Sequence, residues 1–188
     1  MTNEPRYSFL ARAIHWVVAA GFACMWMLGF TMTRLVEDDS APEEFLYGVH
    51  ISLGVTLLAL IALRVAVRLN RRPPPLPASL QGAERVGAHL GHAALYALPA
   101  LVMALGWAEV DLGGHGVAWF GVEMPKLFAT VPEGSGAEEW AETLHRWLAY
   151  AMLCVAVIHV AAVAKHRWID RHDVLYRMTF GGGRAKKE

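Results

Sequence analysis

Four apolar stretches govern what this 188-residue chain can fold into. They cover about 13–33, 46–67, 89–108 and 147–164. Each approaches the roughly 20 residues that a helix needs to cross about 30 Å of hydrocarbon. In lipid, backbone polar groups must be satisfied within the protein, so only helices and closed barrels span. Barrel strands alternate apolar and polar residues, and these stretches do not. The expectation is an all-α, integral membrane four-helix bundle, one domain over 1–188. Composition agrees. The chain is 55% hydrophobic and 18% charged, against about 25% charged for a soluble domain. Such a chain is not disordered, and its zero net charge carries no nucleic-acid signal. Cys24 and Cys154 make no disulfide framework and read as small packing residues; a Cys-x-x-Cys-His site for covalent haem is absent from the sequence. The first stretch is too long for the apolar part of a signal peptide, and no small-x-small cleavage site follows it.

The charges sort across the membrane. Of 17 Lys and Arg residues, all but Arg34, Lys126 and Arg146 fall on the N-terminal segment, on the second-to-third connection with Arg64 just inside the second stretch, or on the C-terminal tail. The excess of positive charge marks the cytoplasmic side, so both termini are expected in the cytoplasm of a bacterial cell, with the chain multi-pass in the inner membrane. The other side is acidic, with Glu37, Asp38, Asp39, Glu43, Glu44, Glu109, Asp111, Glu123, Glu133, Glu138, Glu139 and Glu142. Arg71-Arg72-Pro73-Pro74-Pro75-Leu76-Pro77 reads as a stiff extended linker. The connection from Glu109 to Leu144 is the longest, and its Trp119-Phe120-Gly121 suits a membrane interface.

Ionisable residues inside spans are expensive, so they point to function. His15, His50, His145 and His159 lie within or at the ends of spans. His145 and His159 are fourteen residues apart. That is a rise of about 21 Å, and the two side chains return to within about 40° of one face. His50 matches His145 in depth and His15 matches His159. Two imidazole pairs, one near each face, can close across a bundle, where cofactor sites are often built. Zinc would gather four ligands at one centre. Haem iron takes axial ligands from opposite sides of a flat ring, which facing helices supply. The pattern therefore favours two haem b groups over histidines that only pack. Gly54, one turn beyond His50, Gly21 and the alanines beside the fourth-helix ligands leave room for a macrocycle. His92, one turn after His89, is a candidate contact for a haem edge, a quinone or a proton path, or an interfacial polar residue. Arg64, fourteen residues after His50, is a candidate partner for a haem propionate, or a snorkelling side chain. His115, His166 and His172 are assigned to loop or tail, with no ligation.

The order of these features resembles the bacterial cytochrome b561 family. The resemblance rests on Arg6-Tyr7-Ser8 with Ile14-His15-Trp16, on His50-Ile51-Ser52-Leu53-Gly54, on Arg64 through Arg68, and on His89-Leu90-Gly91-His92 with Tyr96 and Leu98-Pro99. It continues through Trp119-Phe120-Gly121, Leu144-His145, His159 through Lys165-His166, and Ile169-Asp170-Arg171-His172-Asp173-Val174-Leu175 with Arg177-Met178. It implies two haem b groups, with His15 paired to His159 and His50 to His145, and electron exchange with the quinone pool. One branch passes electrons from periplasmic superoxide to ubiquinone, and Ile51 after His50 resembles that branch. The resemblance thus implies a superoxide:quinone oxidoreductase-like enzyme. The rival reading is an electron-transfer cytochrome b subunit docking a soluble cytochrome, a dehydrogenase or a hydrogenase, and the acidic outer face suits a basic protein. Superoxide is an anion and needs local positive potential. Arg34, Lys126 and Arg146 are the available cations, and Lys126 is the expected catalytic one.

Overall fold

The computed structural model describes residues 6–71, 73–76, 80–171 and 174–180. Arg72, Pro77, His172, Asp173, Arg184, Lys186 and Lys187, on which the charge map, the linker and the family resemblance draw, lie outside the described residues. Four helices carry the architecture: α1 (Phe9–Arg34), α2 (Ala41–Asn70), α3 (Gly82–Leu112) and α4 (Ala137–Trp168). All four are long and apolar enough to cross a membrane.

Each helix is longer than its apolar stretch, because polar end turns extend it, and α1 and α2 also carry side-chain caps. Ser8 Oγ accepts from Ala11 N ahead of α1, and Ser40 Oγ accepts from Glu43 N ahead of α2. Glu43 and Glu44, and in α4 Glu138 and Glu139, sit in first turns, where they complement the helix dipole. Glu109 and Asp111 therefore belong to α3, and Glu138, Glu139 and Glu142 to α4, rather than to the connecting loop. His166 likewise lies within α4 and not in a tail.

α1 packs on α2 and α3 on α4, and contacts between α2 and α3 join the two hairpins. Ile14 and Val18 of α1 meet Ile61 of α2, with Phe22, Leu60 and Met103 against them. Gly21 brings α1 close: a Cβ there would stand 2.5 Å from Leu57 Cδ2. Much of the exterior is apolar, including Val17, Leu63, Leu101, Val157 and Val160. In lipid such a surface costs nothing, and close packing rather than water exclusion holds helices together. Cys24 and Cys154 are exposed on it, so they are not packing residues.

At the loop end, a two-stranded hairpin pairs β1 (Ala118–Trp119) with β2 (Val122–Glu123), an element the sequence did not announce. Its turn residues Phe120 and Gly121 both have positive φ, 47° and 83°, as a tight hairpin turn requires. The hairpin is fastened to α2. Phe120 N donates to Ser52 Oγ at 3.0 Å, and Trp119 Nε1 to Thr56 Oγ1 at 3.0 Å. Ser52 is buried, so Ser52→Ala removes one acceptor, at about 1 kcal/mol. Hydrogen exchange is expected to quicken at Phe120 while amides in mid-α2 keep their protection; equal protection at Phe120 would mean that the tether holds nothing.

At the opposite, tail end, a short turn at Leu175–Arg177 lies beneath α1. Tyr7 N donates to Arg177 O, Arg12 Nη1 to Thr179 O at 2.7 Å, and Trp16 Nε1 to Met178 O at 2.8 Å. Arg177, itself buried, donates to Pro75 O in the α2–α3 connection.

Candidate functional site

The helix pairing brings His50 of α2 and His145 of α4 together near the loop end. Their ring centroids are 6.2 Å apart, with planes at 71°. A metal–nitrogen bond of about 2 Å on each side, with about 1 Å from each ring centre to its nitrogen, gives close to this separation for two imidazoles on one metal. The pair faces a cavity of about 320 Å³. Its walls include Phe22, Met25, Gly54, Leu57, Val102 and Gly106. Gly54 leaves real space, since a Cβ there would meet only Met25 Cε at 3.7 Å.

The donor chemistry fits haem. His145 Nδ1 lies 2.8 Å from Val102 O. A carbonyl can only accept, so Nδ1 carries the proton and the Nε2 lone pair is left for a metal. His50 Nδ1 is buried without a hydrogen-bond partner. Two imidazoles with free ring nitrogens beside a largely apolar cavity are a donor set that fits a haem iron.

Toward the tail end the histidines gather differently. His92 and His159 pack edge to face there, with ring centroids 5.6 Å apart and planes at 64°. His15 is within electrostatic reach of both, but its Nδ1 is held at 2.8 Å by Arg64 Nη1. Arg64 can only donate, so this contact puts the His15 proton on Nε2. Arg64 Nε also lies 3.3 Å from Tyr96 Oη, and the Arg64 and Arg68 guanidinium groups both lie over the Tyr96 ring. Arg64 is thus bound to a candidate ligand rather than snorkelling, and His92 is inside the histidine cluster rather than at an interface. His89 and His115 are exposed.

Of the three cations on the acidic side, the structure brings two to the cavity between His50 and His145. Arg34 and Arg146 line it, with Glu109, Glu142 and Tyr47 beside them. Lys126 does not line it. Its Nζ donates to Thr130 Oγ1 at 3.0 Å and to Gly114 O at 3.3 Å, which makes it a clasp across the loop. The expectation that placed Lys126 at the reaction centre is corrected on this point.

Several residues of the site were not read from the sequence. Tyr96 entered only through the family resemblance, and Gly29 and Gly106 not at all, although both line the cavity. A glycine inside a helix costs about 1 kcal/mol against alanine, and that cost was the available signal.

Comparison with known proteins follows the same lines. A family model described as "Prokaryotic cytochrome b561" matches residues 6–181. "Cytochrome b561 homolog 2" of Escherichia coli (strain K12) is 34% identical over 184 residues, 94% of this chain and 93% of that protein. "Cytochrome b562" of Cereibacter sphaeroides is 26% identical over 181 residues, covering 95% and 98%. "Probable superoxide oxidase CybB" of Yersinia pestis is 25% identical over 179 residues, covering 92% and 95%.

Proposed function

This chain belongs to the prokaryotic cytochrome b561 family, haem b-binding electron-transfer proteins that pass several times through the bacterial inner membrane, and from that premise we propose that it is a di-haem oxidoreductase carrying electrons from periplasmic superoxide to ubiquinone. On this reading His50 and His145 hold the outer haem, and His15 and His159 would hold the inner one once Arg64 gives up His15 Nδ1 for a propionate and the imidazole proton moves from Nε2 to Nδ1. Both termini lie in the cytoplasm. The observation that carries the reading is the His50–His145 pair, spaced for one metal and backed by a cavity. Haem b, when bound, supplies reversible one-electron chemistry at its iron.

The chain's own residues do the rest. His145 is oriented by the Val102 carbonyl. Phe22, Met25 and Leu57 line the outer cavity with apolar surface that disfavours water. Arg34 and Arg146 supply positive charge at that cavity and take the anion-steering role expected of Lys126. Arg146 is partly neutralised by Glu142 at 3.1 Å, so Arg34 is the less compensated of the two. Toward the cytoplasm, Arg64 is the cation beside His15 and suits a propionate carboxylate. His92, packed on His159, is placed for proton delivery to a reduced quinone.

The test is an optical one. Detergent-purified protein should contain two haem b per chain, be reduced by pulses of superoxide and be reoxidised by added ubiquinone. The double variant Arg34→Ala/Arg146→Ala is expected to slow reduction by superoxide about tenfold and to flatten its dependence on salt, with a smaller effect from Lys126→Ala. Two haems that ignore superoxide would overturn the donor and keep the ligands.

One observation favours a second reading. Glu37, Asp38, Asp39, Glu44, Glu123, Glu133 and Glu138 are all exposed on the same side. Such a face suits a basic periplasmic electron-transfer protein. A co-purifying partner that reduces the haems, with no response to superoxide alone, would select it.

A further inference from the structure

The two outer histidines each lie over a glycine on a neighbouring helix, but with different clearance. His50 lies over Gly29 of α1, where an added Cβ would stand 3.5 Å from His50 Cε1, an ordinary contact. His145 lies over Gly106 of α3, where an added Cβ would stand 2.9 Å from His145 Cε1 and 3.0 Å from Nδ1. No ring can stay in place against that. The hydrogen-bond partners differ as well. His145 Nδ1 is fixed on Val102 O, and His50 Nδ1 has no partner.

Val102 and Gly106 are one helical turn apart, and the geometry explains why that matters. A helical side chain leans toward the N-terminus and covers the turn before its own Cα. Any side chain at 106 would therefore shield the Val102 carbonyl from a neighbouring helix. Glycine leaves it bare. The carbonyl has a second lone pair beyond the one used along the helix, and the His145 ring reaches it through the gap.

We infer that Gly106 is a positioning residue for the outer haem: it opens the Val102 carbonyl to His145 Nδ1 and thereby sets the tautomer and plane of one ligand, while His50 is left to adjust. The inference rests on the reading of His145 as a haem ligand. It makes the outer site asymmetric, with one ligand fixed before the cofactor arrives and one free to adapt. A donor on Nδ1 also raises the basicity of the ligating nitrogen, so the same contact tunes the outer haem.

The experiment compares haem content, low-temperature electron paramagnetic resonance and midpoint potentials in the holoprotein. Two low-spin ferric signals are expected in the unaltered chain. His145→Ala should remove one, and Gly106→Ala should shift or remove that same signal and leave the other. Gly29→Ala should shift less than Gly106→Ala. Gly87→Ala, on the same helix with nothing within 4 Å of the added carbon, should leave both signals unchanged. A Gly106→Ala protein with both signals and both potentials unaltered would overturn the inference. If His145→Ala keeps both signals, the ligand assignment falls instead. Should Gly106→Ala fail to accumulate, nitrogen-15 histidine spectra of the reduced, diamagnetic holoprotein decide the matter. A slowly exchanging ring N–H that disappears in His145→Ala is expected, and its absence from the unaltered protein would overturn the proposal.

Discussion

His15→Ala is expected to abolish quinone reduction while the outer haem is still reduced by superoxide. The proposed inner haem loses one of its two imidazole ligands. The nearest polar group is the Arg64 guanidinium, which cannot bind a metal. The levels of His145 and His159 on α4 are about 21 Å apart. An electron left at the outer site then has no intermediate stop, and transfer falls steeply with distance. Stopped-flow spectroscopy with superoxide pulses should show haem content near half, reduction of the remainder in the pulse, and reoxidation by ubiquinone slowed by at least about a hundredfold, or roughly 2.7 kcal/mol in barrier. Quinone turnover at the normal rate with one haem would contradict the two-step path. Full haem content would show that another residue, with His92 the nearest candidate by its contact with His159, ligates the inner iron.

Asp111→Ala carries the second large effect, and it acts on the loop rather than on a haem. Asp111 is wholly buried. Its Oδ2 accepts from Leu127 N at 2.7 Å and Phe128 N at 3.2 Å. Truncation removes both acceptor contacts at a part-buried position, at about 1 kcal/mol each. The loop between α3 and α4 should detach while the helices persist. Hydrogen exchange at Leu127 and Phe128 reads this directly, and unchanged protection there would show that the carboxylate anchors nothing. Function follows from position. Val117, in the same loop, is 3% exposed and lines the outer cavity. A detached loop lets water to the His50–His145 pair, so the outer haem should become more accessible to small oxidants and reductants.

The architecture was legible because lipid imposes it. A span has a fixed length and must satisfy its own backbone, so stretches such as 46–67 announce themselves. The outer histidine pair was legible for a related reason: helix geometry puts His50 and His145 at one depth, and their rings do meet. What stayed hidden depends on contacts between helices. The Val102 carbonyl carries no mark in the sequence, and Gly106 is uninformative until the neighbour over it is known. The hairpin was obscured because Phe120 takes a positive φ, a conformation its residue type does not advertise. The inner cluster differs most from expectation. Spacing aligns His15 with His159, but a cation on α2 captures His15 first, a choice made by Arg64 and Tyr96 in space.

The turn at Leu175–Arg177 has a consequence for cofactor uptake. Its contacts collect Tyr7, Arg12, Trp16 and Pro75 around one short segment. That segment follows all four helices in the chain, so the end nearest His15 is fastened shut last. The deeper cofactor position thus stays open until that last turn closes, and a purified chain truncated before residue 174 should take up haem there more readily than the 188-residue chain.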